Sequence, residues 1–441
     1  MSMRLPLILR ACGLLTAGLL LAGPAAAQPT PAPAQRGSVL VLHATAHLGT
    51  GDVVANSGIG FRDGRIDYVG SAETVPRSYD RVIDATGMHL YPGFIAANST
   101  LGLVEIEAVR ASADVYEIGT FRPNVRSVIA YNTDSEVTPT VRSNGVLVGQ
   151  ITPRGGTVSG SSGIVQFDAW NWEDAVIREV DGVHVNWPGM HHRHREGEKV
   201  EVRRRKTYDQ ELHELRRFFS EAAAYARVAR PDPVDVRFEA MRGIFSGDLA
   251  LYVHADDVRQ ITAAVHFKRE FNLPRLVLVG GSDAPLVADL LRDNAVPVLV
   301  ARLHRLPRFE DDPVDLPFSL PKLLEDEGVL YALEGSGNME AMSARNLPFY
   351  AGTAHAYGLT YEQAVRSITL NAARILGVDQ RLGSIELGKD ATFFLSAGDA
   401  LDIRTNRVQH AFIGGREIDL DNRQRELYRK FAGKYGQPIV D

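Results

Sequence analysis

From Ser38 to Tyr91 apolar and polar positions alternate in short runs: SVLVLHATA, SGIGFRDGRIDYVGS and YDRVIDATGMHLYPG. Period-two alternation of this kind predicts short β-strands buried on one face. Asp63-Gly64 lies between FR and RIDYVG, and both residues tolerate positive φ, which predicts a hairpin turn. The same texture returns near the far end, in ATFFLSAGD and RVQHAFIGGREI, with a turn at Gly414-Gly415. Between the two ends the period changes. Apolar runs such as LALYVHA, RLVLVG, VPVLVAR and GVLYALE are interleaved with helical-period segments, among them DVRQITAAVHFKREF and SDAPLVADLLRDN. That alternation predicts an α/β fold of βα units around a parallel sheet. The stretch 92–377 is long enough for a (β/α)8 TIM-like barrel, which takes about 250 residues. The flanking segments 38–91 and 378–417 are expected to pair into one small β-sandwich, with 418–441 as a C-terminal tail.

The first 27 residues follow neither pattern. Arg4 and Arg10 precede an apolar run from Ala11 to Gly23, and Ala25-Ala26-Ala27 supplies small residues for cleavage. This predicts a secretory signal over 1–27 followed by a Pro/Ala linker over 28–37, and hence an exported, periplasmic or extracellular protein. Cleavage would remove Cys12, the single cysteine, which excludes a disulfide framework and any Cys-based metal site. No later segment reaches the roughly 18 apolar residues of a membrane span. With 45% hydrophobic and 23% charged residues the composition is that of a globular protein. A formal charge of −6 supplies no global attraction to nucleic acid.

One excursion interrupts the βα rhythm. Met190–Lys206 carries seven Lys/Arg against three Glu, with three His. Its cations oppose metal binding, so it is expected to be a solvated loop. Trp170 and Trp172, two residues apart, are expected to pack against the core. The glycines of RGGTVSGSSG lack the Gly-Lys-Ser/Thr of a phosphate loop, and no Gly-x-Ser-x-Gly elbow is present.

Longer matches carry a family resemblance. Asp84-Ala85-Thr86-Gly87 followed by Tyr91-Pro92-Gly93-Phe94-Ile95 resembles the strand that enters the barrel in the amidohydrolase superfamily, especially its imidazolonepropionase-like branch. GLTYEQA (358–364), TLNAARILG (369–377) and GSIELGKDA (383–391) are similar to that family's last barrel helices and its return to the terminal strands. The resemblance implies hydrolysis of a small amide, urea, cyclic imide or lactone by metal-bound hydroxide. It also implies the metal's ligands: a His-x-His pair after the first barrel strand, a His on the fifth, a His on the sixth and an Asp on the eighth. Those positions fall here on Asn98 and Thr100, on His254, on Gly280 and near Ser336, so only His254 survives. A bridging, carboxylated Lys is excluded by counting, because the only lysines between Gln28 and His254 are Lys199 and Lys206, both in the polar excursion.

The expected site therefore has His254 as its catalytic group and Asn98, Thr100, Arg142 and Arg154 as ligand-binding residues. Asp134, Asp283 and Glu334 are further candidates near predicted strand ends. No metal is expected: one imidazole and two neutral oxygens hold zinc too weakly for stoichiometric binding. Because Asn98 and Gly280 are smaller than His, the barrel mouth is expected to remain an open polar cavity. Two functions remain. One is an exported hydrolase of carbon–nitrogen bonds other than peptide bonds, with a degraded metal site. The other is a catalytically silent barrel that binds a small polar ligand, self-associates, or partners an active relative.

Overall fold

The computed structural model describes residues 30–196 and 199–439. The expected signal segment 1–27 lies outside the described residues.

Five strands come first: β1 (Val39–His47), β2 (Val53–Arg62), β3 (Arg65–Ser71), β4 (Arg81–Asp84) and β5 (His89–Pro92). Asp63 and Gly64 turn β2 into β3 with φ of 50° and 76°, the left-handed pair a two-residue hairpin needs. Ten strands follow: β6 (Phe94–Ser99), β7 (Val146–Ile151), β8 (Val158–Gln166), β9 (Val176–Asn186), β10 (His191–Glu196), β11 (Lys199–Arg204), β12 (Ala250–Ala255), β13 (Leu276–Gly280), β14 (Val298–Val300) and β15 (Tyr331–Leu333). The chain then returns through β16 (Phe393–Ser396), β17 (Val408–Ile413) and β18 (Arg416–Glu417).

Both chain ends build one sheet of eight strands, in the order β18-β17-β16-β5-β1-β2-β3 with β4 also on β1. The antiparallel pairing of β16 with β5 makes the join, from Phe393↔Pro92 to Ser396↔His89. This sheet surrounds a core of its own, in which the rings of Phe61, Phe393 and Phe412 lie 5.1–5.3 Å apart. In its hydrogen bonding it is one continuous sheet, where two layers of a sandwich were expected.

The second sheet runs β15-β14-β13-β12-β9-β8-β7-β6 and is brought almost to closure by a parallel bridge between Ala97 and Glu334. It is TIM-like, with one departure from the expected all-parallel barrel: β8 is antiparallel to both β7 and β9. The reason is connection length. Six residues separate β7 from β8, and a parallel crossover needs a dozen or more. Helices α1 (Tyr208–Ala226), α2 (Val236–Ser246), α3 (Val258–Glu270), α4 (Ala288–Asp293), α5 (Leu316–Asp326), α6 (Leu347–Ala356), α7 (Tyr361–Ser367) and α8 (Leu370–Leu376) lie between or after the later strands.

Three local expectations change. The basic excursion is a hairpin, β10–β11, paired from His191↔Arg204 to Glu196↔Lys199. The expected tail contains helix α9 (Arg423–Tyr435), whose first turn is capped by the Asn422 side chain. Trp170 is 65% exposed, and only Trp172 packs against the core.

Candidate functional site

The barrel's polar interior begins at a defect in β6. Its register against β7 steps from Ala96↔Gly149 to Ser99↔Ile151, one residue more on β6 than on β7. Asn98 absorbs the extra residue at φ 50°, a left-handed conformation that Asn adopts more readily than most side chains. Its N–H then donates to the Gln150 side chain of β7 (2.9 Å) in place of a backbone carbonyl.

Arg154 closes over this bend. Its Nη1 donates to Asn98 Oδ1 (3.0 Å) and Nη2 to the Asn98 carbonyl (2.8 Å). Nε and Nη2 fork onto the two oxygens of Glu340, each at 3.2 Å. Asn98 Nδ2 reaches Glu334 Oε2 at 3.4 Å. Glu334 follows β15 directly and is fully buried, receiving the Ser336 N–H (2.5 Å) and hydroxyl (2.7 Å). Burial pushes its carboxyl up to about 7, against the pull of the Ser336 hydrogen bonds.

A second branch leaves Gln150. Its Nε2 donates to Asp181 Oδ2 (2.7 Å), as does the Tyr252 hydroxyl (2.5 Å). Ser162 Oγ donates to Asp181 Oδ1 (2.6 Å), His184 Nε2 meets Ser162 Oγ (2.8 Å), and His184 Nδ1 meets His254 Nε2 (2.9 Å). A hydroxyl has one proton, and Ser162 gives its proton to Asp181. His184 therefore donates from Nε2 and accepts at Nδ1, so the His254 proton sits on Nε2. His254 Nδ1 keeps its lone pair and has no hydrogen bond to a described residue. Burial depresses both imidazoles, with the Arg154 charge adding to the effect: His254 to about 3, and His184 well below the usual histidine value. Both rings are neutral at pH 7.

The structure thus brings Asn98, Arg154, His254 and Glu334 into one connected network and separates the other candidates from it. Thr100 is buried nearby in sequence, with an unpartnered Oγ1. Arg142 is a correction. It ends the short helix Thr138–Arg142 ahead of β7, at the opposite end of the barrel, and pairs with Asp168 at 2.8 Å. Asp283 accepts the first N–H of α3 (3.0 Å) and pairs with Arg308 (3.4 Å). Asp134 is on the surface at the Arg142 end.

Sequence reasoning missed Gln150, Ser162, Asp181, His184, Tyr252 and Glu340. The signal for His184 was present: in Val183-His184-Val185 the imidazole takes the alternate, inward position of a buried strand. The eighth-strand carboxylate also lies two residues before the expected Ser336, at Glu334.

An open cavity lined by Asn98, Thr100 and His254 was expected; the cavity of about 420 Å³ among the loops after β9, β12 and β14 is lined instead by residues such as Gly189, Asp257 and Gln260. The cavity bordering Asn98 and Glu340 is about 10 Å³, room for one water. Arg154 fills the space beside Asn98. Gly280 opens no room either, because at φ 100° a Cβ there would stand 2.9 Å from Asp256 Oδ1. A divalent ion does not fit this donor set. Among the described residues no three His, Cys, Asp or Glu side chains converge as a metal requires, and Arg154 already brings a cation to Asn98 and Glu340.

Comparison with known proteins bears on the fold and family. The model described as "Amidohydrolase family" matches residues 315–418. The chain is 28% identical over 190 residues to the amidohydrolase tasK of Hapsidospora irregularis, covering 42% of this chain and 19% of that protein. It is 29% identical over 163 residues to the imidazolonepropionase of Erwinia tasmaniensis, covering 37% and 38% respectively. The chain thus spans well under half the length of either relative. The crystal structure of an amidohydrolase from Thermotoga maritima superposes with a TM-score of 0.74 at 23% identity, over 86% of this chain and 99% of that one.

Proposed function

We propose that the chain is a member of the amidohydrolase superfamily whose barrel no longer performs metal-dependent hydrolysis and serves instead as a binding or partner barrel, a reading supported by the family match, the imidazolonepropionase relative and the shared fold. One observation carries this reading: the Arg154 guanidinium, forked between Asn98 and Glu340, occupies the barrel end where the resemblance puts a metal. Fold does not preserve activity once the site has changed. The test is calorimetric turnover of small amides, lactams and imides, with and without added zinc. We expect no zinc-dependent heat, and zinc-stimulated turnover abolished by His254→Ala would refute the reading.

A second reading has its own support. The Glu334 carboxyl, pushed up to about 7, is the group in this network poised to exchange a proton near neutral pH, and the His254 Nδ1 lone pair is free to accept a substrate hydrogen bond, which together suit metal-free hydrolysis of a small non-peptide C–N bond. It predicts turnover in the presence of chelator, lost in both His254→Ala and Glu334→Gln. Export is part of the proposal and rests on residues 1–27. Fractionation of cells expressing the full chain, with the mature N-terminus sequenced, tests it.

A further inference from the structure

At the opposite end of the barrel from Arg154 lies a cavity of about 300 Å³, the lower end of the small-ligand range. Its floor is formed by the short helix that ends in Arg142 and by Asp168, and its far wall by the approach to α9. Charge is unbalanced at this floor. Arg142 (2.8 Å) and Arg416 (2.8 Å) both pair with the single carboxylate of Asp168, whose side chain is 3% exposed. Two guanidiniums against one carboxylate leave a positive charge uncompensated, the costly half of a buried ion pair.

Donors are also left over. Arg142, 5% exposed, has an Nε–H with no acceptor, and the hydroxyl of Thr138, 2% exposed, has only the Tyr131 hydroxyl near it, outside normal hydrogen-bond geometry. Both residues line the cavity, four apart and so on one face of their helix. Surplus charge and spare donors together call for an anion bearing at least two acceptor oxygens, which a carboxylate supplies.

The rim has the opposite character. Asp134 and Glu136 are exposed, and their carboxylates have no hydrogen bond or ion pair to a described residue. On the α9 side Asp421 pairs with Arg429 (2.6 Å) and Glu426 with Arg423 (3.2 Å), while Asp419, which accepts only the Asp421 N–H, adds to the unpaired negative charge. The free negative charge thus stands above the buried positive charge, at the entrance.

We propose that this cavity binds a small zwitterion, an amino acid or close analogue, with its carboxylate on Arg142 and Thr138 and its ammonium group between Asp134 and Glu136. The site is separate from the Arg154 network, so its failure would leave the reading above untouched. The test is titration of the full mature chain, by calorimetry or chemical-shift perturbation, with glycine, 4-aminobutanoate and 6-aminohexanoate. Butanoate and butylamine serve as single-charge controls. At least one amino acid is expected to bind about tenfold more tightly than either control. Asp134→Asn combined with Glu136→Gln should erase that advantage while leaving butanoate unaffected, and both substitutions are on the surface, where folding is not at stake. Thr138→Val should weaken every carboxylate alike. No binding by any amino acid, equal binding of butanoate, or an advantage that survives the rim substitutions would each overturn the proposal.

Discussion

Arg154 carries the most at the scale of single residues. Its five-donor fork satisfies a strand-end carbonyl, an amide oxygen and a carboxylate at once. Arg154→Ala would leave the Asn98 oxygens without donors and Glu340 with only the Gly337 N–H, and breaking this partly buried pair should cost about 2–4 kcal/mol, below the roughly 3–5 kcal/mol of a fully buried one. Arg154→Lys should recover little, because an ammonium cannot fork in a plane. Urea unfolding of both variants measures this, and a loss below ~1 kcal/mol for Arg154→Ala would show that the fork is incidental.

Glu334 and His254 give the protein opposing pH responses. The folded Glu334 carboxyl is raised from 4.5 to about 7, so its contribution to stability is complete below pH 4.5 and lost as the pH rises to 7. The folded His254 imidazole is lowered from 6.5 to about 3, so its contribution is complete above pH 6.5 and lost as the pH falls toward 3. Glu334→Gln should therefore make stability rise more steeply between pH 4.5 and 7, by roughly 3 kcal/mol over that window. Unfolding midpoints across the window check it, and parallel curves for variant and wild type would contradict it.

At the scale of elements, β8 was the least legible part of the chain. Its sequence, VSGSSGIVQ, is too rich in Gly and Ser to reveal a strand from its pattern, and nothing local specifies direction. Direction follows from the short connection to β7, a constraint between elements. Gly160 makes the strand's bend at φ 138°, where a Cβ would stand 2.7 Å from the Val125 carbonyl. Gly160→Ala should destabilise by about 2–4 kcal/mol in chemical denaturation, and an unchanged midpoint would show that the bend is dispensable. The Asp63-Gly64 turn and the runs that became β12 to β15 were legible, because turn chemistry and buried apolar runs are local signals. Helix α9 was not, since RQRELYRKFAGKY buries only Ala432 and so shows little apolar stripe.

For the whole molecule, the join of the chain ends was legible because both carried the same strand texture. The site was only partly so. Asn98, Arg154, His254 and Glu334 are distant in sequence, and what unites them is the closure of the sheet through Ala97 and Glu334. An open mouth was expected from side-chain size alone. The structure instead fills that space from neighbouring loops, with Arg154 beside Asn98 and Asp256 beside Gly280. The proposal is that this barrel carries its own cation, a guanidinium, at the end where the sequence resemblance implies a metal. Elemental analysis of the purified protein after zinc loading and exhaustive dialysis tests that claim most directly. Far less than one equivalent of zinc should remain, in the wild type and in His254→Ala alike. One equivalent retained by the wild type and lost on His254→Ala would contradict it.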